Sequence, residues 1–231
     1  MHHGLPISWT SKYSLHMDTA QLHRPANPVR FVTAASLFDG HDASINIMRR
    51  ILQSQGAEVI HLGHNRSVDD VVRAAVQEDV QGVAVSSYQG GHMEYFTYLL
   101  EQLRNQGRDD IKIYGGGGGV IVPSEIDELH RRGVAHVFSP QDGQRMGLAQ
   151  MINSMIAACD VPPQRDGAVD VHALLAGSER ELARAISVIE SGSASPALLD
   201  DLHAAAAART VPVVGITGTG GSGKSSLTDE L

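Results

Sequence analysis

The sequence predicts an α/β fold in which helices cover both faces of a five-stranded parallel sheet. Five short segments rich in β-branched residues alternate along the chain with five segments whose apolar residues recur at helical spacing. The connections are short, and strand-like runs such as GVAVSS at 82–87 are almost entirely apolar. Such runs suit strands that are buried on both sides, as parallel sheets require.

The predicted strands occupy residues 30–37, 57–62, 82–87, 111–114 and 134–138. The helix after the second strand has its apolar side chains at i, i+3, i+4, i+7 and i+8, namely Val68, Val71, Val72, Ala75 and Val76. The helices after the first, third and fifth strands carry stripes that begin at Ile45, Phe96 and Leu148, and the fourth helix runs from Pro123 to Arg132. Units of this size predict the flavodoxin-like (Rossmann-like) order, with the second and third strands on either side of the first.

Composition excludes several classes of protein. The 231 residues include 18 Lys and Arg against 26 Asp and Glu, a net charge of −8, which argues against a nucleic-acid-binding protein. A single cysteine, Cys159, rules out an intrachain disulfide and a Cys-rich zinc site and fits a reducing compartment. No apolar run of about 18 residues and no signal peptide is present, so we expect a cytoplasmic protein that does not bind membranes.

Breaks in the pattern divide the chain into four parts. Residues 1–28 form an N-terminal extension, 29–158 the sheet domain, and 159–177 a linker marked by VPPQRDG. Residues 178–231 begin with two helices, followed by a predicted strand at 211–217 and a glycine-rich turn into another helix. We therefore expect this last part to be the opening of a second, truncated domain.

The glycine-rich turn fits the phosphate-loop pattern G-x-x-x-x-G-K-[ST]. In GTGGSGKS, at 218–225, the backbone N–H groups of Gly218, Gly220, Gly221, Ser222 and Gly223 would surround phosphate oxygens. Lys224 would neutralise the β/γ-phosphate charge, and the Ser225 hydroxyl would ligate Mg²⁺. Because a later magnesium-positioning Asp and a base-recognition loop are missing, we expect this chain alone not to hydrolyse nucleotide efficiently.

A second candidate site follows the first predicted strand. Asp-x-His occurs three times, but only Asp39 and His41 lie at the carboxyl end of a strand, the edge where open α/β sheets bind ligands. The flavodoxin-like order brings the loops SSYQGGH (86–92) and GGGGG (115–119) to the same edge. A carboxylate can hold one ring nitrogen of His41 and leave the other for a metal. Zinc needs three or four protein ligands, so a lone histidine favours a metal that carries its other ligands in a macrocycle.

These residues resemble the cobalamin-binding domain of adenosylcobalamin-dependent mutases, whose signature is D-x-H-x-x-G, S-x-L and a glycine pair. The resemblance implies that His41 is the lower axial cobalt ligand and that Ser86 contacts the nucleotide tail of the cofactor. Two positions depart from the signature: Ser44 replaces Gly and Tyr88 replaces Leu. The signature glycine pair is either Gly115 and Gly116 or Gly118 and Gly119, and the resemblance leaves this choice open. Gly90 and Gly91, in the loop after the third strand, are further expected cofactor contacts.

The order of the two motifs is similar to that of the fused isobutyryl-CoA mutases, in which a GTP-binding chaperone domain of the MeaB type follows the cofactor domain. The resemblance covers about 29–231. It implies adenosylcobalamin, Mg²⁺ and GTP or GDP as ligands, an acyl-CoA substrate held by a barrel domain absent here, and interconversion of isobutyryl-CoA with n-butyryl-CoA. We also expect a homodimer. Two alternatives stay open: another acyl-CoA mutase of the methylmalonyl-CoA type, and a flavin-binding or receiver-like regulatory module joined to an NTPase.

Overall fold

A computed structural model describes residues 22–41, 43–162 and 169–230. Five parallel strands form one sheet in the order β2-β1-β3-β4-β5, which confirms the flavodoxin-like prediction. The strands are β1 (Arg30–Ser36), β2 (Glu58–Arg66), β3 (Gly82–Ser86), β4 (Lys112–Gly116) and β5 (His136–Phe138). The first, third and fourth strands therefore end side by side at the carboxyl edge, where both candidate loops emerge.

Ten helices accompany the sheet in the described ranges. They are α1 (Ala43–Ser54), α2 (Val68–Gln77), α3 (His92–Asn105), α4 (Pro123–Arg132), α5 (Pro140–Met146), α6 (Leu148–Cys159), α7 (Val171–Leu175), α8 (Glu179–Glu190), α9 (Pro196–Ala207) and α10 (Lys224–Asp229). Local capping explains where several begin. At α2, for example, the Ser67 hydroxyl accepts from the Asp70 N–H while the Asp70 carboxylate accepts from Ser67, a capping box that satisfies free backbone donors.

Two apolar layers cover the sheet, and both were expected from the unbroken apolar strands. One layer joins α2, α3 and α4 to side chains such as Val32 and Val83, and the five predicted valine and alanine positions of α2 are all buried in it. The other joins α1 and α6 to Phe31, Tyr114 and Phe138. Because alternate residues of each strand face opposite layers, every central strand is enclosed.

Four sequence predictions need correction. The helix α5 was not predicted, β2 extends to Arg66 rather than ending at 62, and α7 lies inside the predicted linker. Residues 211–217 form no strand, and Val213 is 93% exposed. A strand forms only beside a partner that completes its hydrogen bonds, and no described strand lies next to this segment. Residues 1–21 of the predicted extension and 163–168 of the linker lie outside the described residues.

The end of the N-terminal extension is fastened to the end of α6 by one carboxylate. Asp160 Oδ1 accepts from the backbone N–H and the side-chain amide of Asn27 at 2.9 and 2.8 Å, and Oδ2 accepts from the Ala26 N–H at 2.8 Å and from His23 Nε2 at 2.7 Å. Burial by itself would raise the pKa of Asp160, but these hydrogen bonds outweigh it and lower the pKa from 3.8 to about 2. The ionised carboxylate therefore ties residues 23–27 to the domain.

We expect Asp160→Ala to lower the free energy of unfolding by about 3 kcal/mol, since several hydrogen bonds to a charged group are lost together. The folded-state pKa lies below the unfolded one, so this contribution is complete above about pH 4 and disappears as the pH falls toward 2. Urea unfolding at pH 7 and at pH 2.5 measures both effects. Exposed Asp109 provides the control, because Asp109→Ala should change little at either pH. An equal effect of Asp160→Ala at the two pH values would contradict the argument.

The helix α8 packs against α2 and against the amino end of the sheet. Arg30, the first residue of β1, donates from Nε to Glu58 at 2.6 Å and from Nη2 to Glu190 at 2.7 Å. Gln77, at the end of α2, donates to Glu179 at 3.3 Å. In the part of the chain that the structure describes, no helix is both long and apolar enough to cross a bilayer.

Candidate cofactor-binding site

Asp39 and His41 form a rigid pair at the carboxyl end of β1. The Asp39 carboxylate is fully buried, and its Oδ1 accepts from the backbone N–H of His41 and from ring Nδ1, both at 2.8 Å. With Nδ1 donating, Nε2 carries a lone pair, and the imidazole is 63% exposed. Asn65 supports this turn, because its side chain accepts from the Phe38 N–H at 2.8 Å and its own N–H donates to the Asp39 carbonyl at 3.2 Å. The arrangement presents one nitrogen ligand to the outside.

The other oxygen of Asp39 reaches the loop after β3. Asp39 Oδ2 accepts from the Tyr88 N–H at 2.6 Å, and the Tyr88 ring lies 5.7 Å from the imidazole, centroid to centroid, at 45°. The Ser36 hydroxyl donates to Ser87 at 3.0 Å, and the Ser87 N–H donates to the Gly116 carbonyl at 2.7 Å. The loops after β1, β3 and β4 are thus joined as the strand order predicted.

Beside these loops, on the α1 and α6 face, lies a cavity of about 220 Å³. The predicted site residues Ser44, Ser86 and Tyr88 line it, together with Gly115, Gly116, Gly117 and Gly118. Most of its other lining residues are apolar, and Tyr114, Phe138 and Met155 are among them. Burial raises the pKa of the Tyr114 hydroxyl above its ordinary value, which already lies well above neutral pH, and the phenol is therefore uncharged. Asp39 and His41 lie outside the cavity, and His41 contacts it through the Tyr88 ring.

Two hydroxyl groups in the cavity wall have no partner among the described residues. The side-chain oxygens of Ser44 and Ser86 are both buried and make no hydrogen bond within the described ranges. A buried hydroxyl without a partner costs free energy, so such groups point to a ligand or water that completes them. A cavity lined by aromatic and aliphatic side chains and by two free hydroxyls suits a heteroaromatic base attached to a sugar. This fits the nucleotide tail that the sequence resemblance implied.

Only some of the predicted glycine contacts line the cavity. Those in or directly after β4 do, whereas Gly90, Gly91 and Gly119 do not. At Gly116 a Cβ would meet only the Phe138 carbonyl oxygen, at 3.9 Å. Gly117, which the sequence analysis passed over, has the closest approach: a Cβ there would lie 2.0 Å from the Ser87 carbonyl oxygen. The one available signal was its place inside the five-glycine run.

The phosphate-loop residues form a turn into α10. Gly221 and Gly223 have positive φ values of 76° and 78°, which favour glycine. Lys224 Nζ donates to the carbonyl oxygens of Gly218 and Thr219, each at 2.8 Å. Elsewhere, no group of three or more His, Cys, Asp or Glu side chains converges as a metal site within the described ranges.

Comparison with known proteins identifies a family and several similar proteins. Residues 29–148 match the family model described as the B12 binding domain. The chain is 65% identical over 207 residues to "Fused isobutyryl-CoA mutase" of Cupriavidus metallidurans, covering 90% of this chain and 19% of the relative, and 64% identical to the protein of that name from Nocardia farcinica, covering 93% and 20%. This chain thus spans about a fifth of the length of these relatives. A cobalamin-binding protein from Desulfitobacterium hafniense has a similar structure, with 22% identity, a TM-score of 0.47, and coverage of 56% of this chain and 58% of that one. The chain belongs to the family of B12-binding domains, and its cofactor is a cobalamin.

Proposed function

We propose that this chain is the cofactor-binding part of an adenosylcobalamin-dependent mutase that interconverts isobutyryl-CoA and n-butyryl-CoA. The observation that carries the proposal is the cavity with two unpaired hydroxyls, Ser44 and Ser86, beside an exposed imidazole oriented by Asp39. The name of the 65% identical relative supports the choice of acyl group. In this proposal, the acyl-CoA is selected by the barrel domain that the sequence resemblance implies for the full-length protein.

Each part of the site has a defined task in this proposal. Nε2 of His41 would hold the cobalt, and Asp39 would keep the ring in the tautomer that leaves this nitrogen free. The hydroxyls of Ser44 and Ser86 and the glycines next to β4 hold the nucleotide tail against the sheet. When bound, adenosylcobalamin supplies a carbon radical by homolysis of its cobalt–carbon bond. The protein positions the cofactor and keeps its displaced base away from the metal.

An absorption experiment tests cobalamin coordination directly. Adenosylcobinamide lacks the nucleotide tail, so it brings no base of its own to the lower face of cobalt. Mixed with this protein, it should shift its visible band to longer wavelength as His41 coordinates. The tail-bearing cofactor should bind more tightly, because it also fills the cavity. An unchanged cobinamide spectrum at saturating protein would reject histidine ligation.

We further propose that residues 218–225 hold the phosphates of GTP with Mg²⁺ on Ser225, in a chaperone domain that controls cofactor loading, and that the full-length protein is a homodimer. The α10 start and the positive-φ glycines support phosphate binding. In the full-length protein, we expect Lys224→Ala to weaken binding of a fluorescent GTP analogue by about 100-fold, since the charge facing the β- and γ-phosphates is removed. Titration with the matching ATP analogue reads base preference, and Lys112→Ala serves as the control. Unchanged nucleotide affinity would reject the phosphate-loop interpretation.

A further inference from the structure

Tyr88 lies between the axial histidine and the tail cavity. Its ring lines the cavity and also contacts the imidazole of His41, which is itself outside the lining. On its other side, Cε1 of the ring lies 3.1 Å from where a Cβ of Gly118 would be. The aromatic ring therefore bridges the gap between the loops after β1 and β4. The ring therefore lies beside a direct route from the His41 imidazole to the cavity.

We propose that Tyr88 is a specificity-determining residue for cofactor loading, which slows the entry of tail-bearing corrinoids and leaves tail-less ones unaffected. The inference rests on the proposed role of His41 as the cobalt ligand. A tail that connects the lower face of the corrin to the cavity cannot enter until the ring moves. A corrinoid without a tail reaches Nε2 of the exposed imidazole without disturbing Tyr88.

The contacts of the Tyr88 ring determine how strongly it slows entry of the nucleotide tail. The Tyr88–His41 pair has the spacing of an ordinary aromatic pair, and Gly118 offers the ring an unobstructed surface on the opposite side. These contacts favour the position seen here over one that opens the path. The observed rate of tail entry is proportional to the fraction of molecules in which the ring has moved aside. Loss of one aromatic contact corresponds to about a fivefold change in that fraction.

The Tyr88 side chain can be removed without breaking the hydrogen bonds that orient His41. The link from Tyr88 to Asp39 is made by the backbone N–H, at 2.6 Å, and survives any substitution at this position except proline. Tyr88→Ala thus removes the ring and keeps the carboxylate in place. Tyr88→Phe keeps the ring and serves as the matched control, since no described hydrogen bond uses the tyrosine hydroxyl.

Stopped-flow absorbance of the protein with adenosylcobalamin and with adenosylcobinamide tests the proposal. We expect Tyr88→Ala to raise the association rate constant for adenosylcobalamin about fivefold, to leave that for adenosylcobinamide within twofold, and Tyr88→Phe to match the parent protein. In the parent protein, the tail-less compound should associate faster. Equal acceleration of both compounds, no acceleration of either, or a Tyr88→Phe variant that behaves like Tyr88→Ala would overturn the proposal. Failure of adenosylcobinamide to coordinate at all would instead count against His41 as the ligand, and the two failures are thereby distinguished.

Discussion

Replacing His41 with alanine should remove the nitrogen signature from the electron paramagnetic resonance spectrum of bound, reduced cobinamide. This corrinoid has no base of its own, so the triplet splitting from a lower nitrogen can come only from the protein. Labelling histidine with ¹⁵N should convert the triplet to a doublet in the parent protein. Because the exposed Nε2 is the one nitrogen ligand that the described residues of the site offer, we also expect cobinamide affinity to fall by about 100-fold.

Two variants sharpen this result. His64 is a control histidine, because it is also exposed but belongs to β2 and not to the loop after β1. We therefore expect His64→Ala to leave the spectrum intact. Asp39→Asn should give an intermediate effect, because an amide cannot accept hydrogen bonds at both positions that face His41 and Tyr88. Survival of the triplet in His41→Ala would remove histidine ligation from the proposed function.

Gly117→Ala should give the largest structural effect of any single methyl group at the site. The added Cβ would lie 2.0 Å from the Ser87 carbonyl oxygen, and both partners are backbone that cannot rotate away. We expect the loops after β3 and β4 to separate, at a cost of about 2 kcal/mol in the free energy of unfolding. Adenosylcobalamin affinity should fall more than about tenfold as the cavity loses its shape. Urea unfolding and spectral titration measure the two changes.

Gly119→Ala is the matched control, because it adds the same methyl group two residues away in the same loop. A Cβ at Gly119 would meet nothing within 4 Å, and its φ is not in the positive range that strains other residues. The variant should therefore bind adenosylcobalamin like the parent protein. Similar losses in the two variants would show that the loop needs glycine for flexibility in general, and would refute the close-approach argument.

Much of the fold was predictable because local signals and burial agree. The valine stripe of α2 indicated a helix, and the same side chains are buried against the sheet. The helix α5 lacked such a signal: its sequence PQDGQRM is polar, and none of its residues is buried. Its start depends on Ser139 and Asp142, which form a capping box with Pro140 in the first turn.

The opposite error at 211–217 has a related cause. Val211, Val213 and Val214 favour a strand, but strand formation depends on partners that a local pattern does not supply. At the candidate site, the sequence indicated the loops that meet but not the distances within them. The sequence does not distinguish the five glycines at 115–119, but their surroundings in the structure differ. Gly117 lies against the Ser87 backbone, Gly116 lines the cavity, and a Cβ at Gly119 would meet nothing within 4 Å.

The attachment of α8 to Arg30 has a consequence for the proposed coupling between the phosphate loop and the cofactor. Arg30 begins β1 and His41 follows its far end, so seven residues of strand, roughly 20 Å, separate the α8 contact from the proposed cobalt ligand. The chain beyond Glu190 therefore starts at the amino end of the sheet, opposite the edge that carries His41. Spacer residues inserted at Gly192, after the last of these contacts, would lengthen the connection between α8 and the proposed phosphate loop.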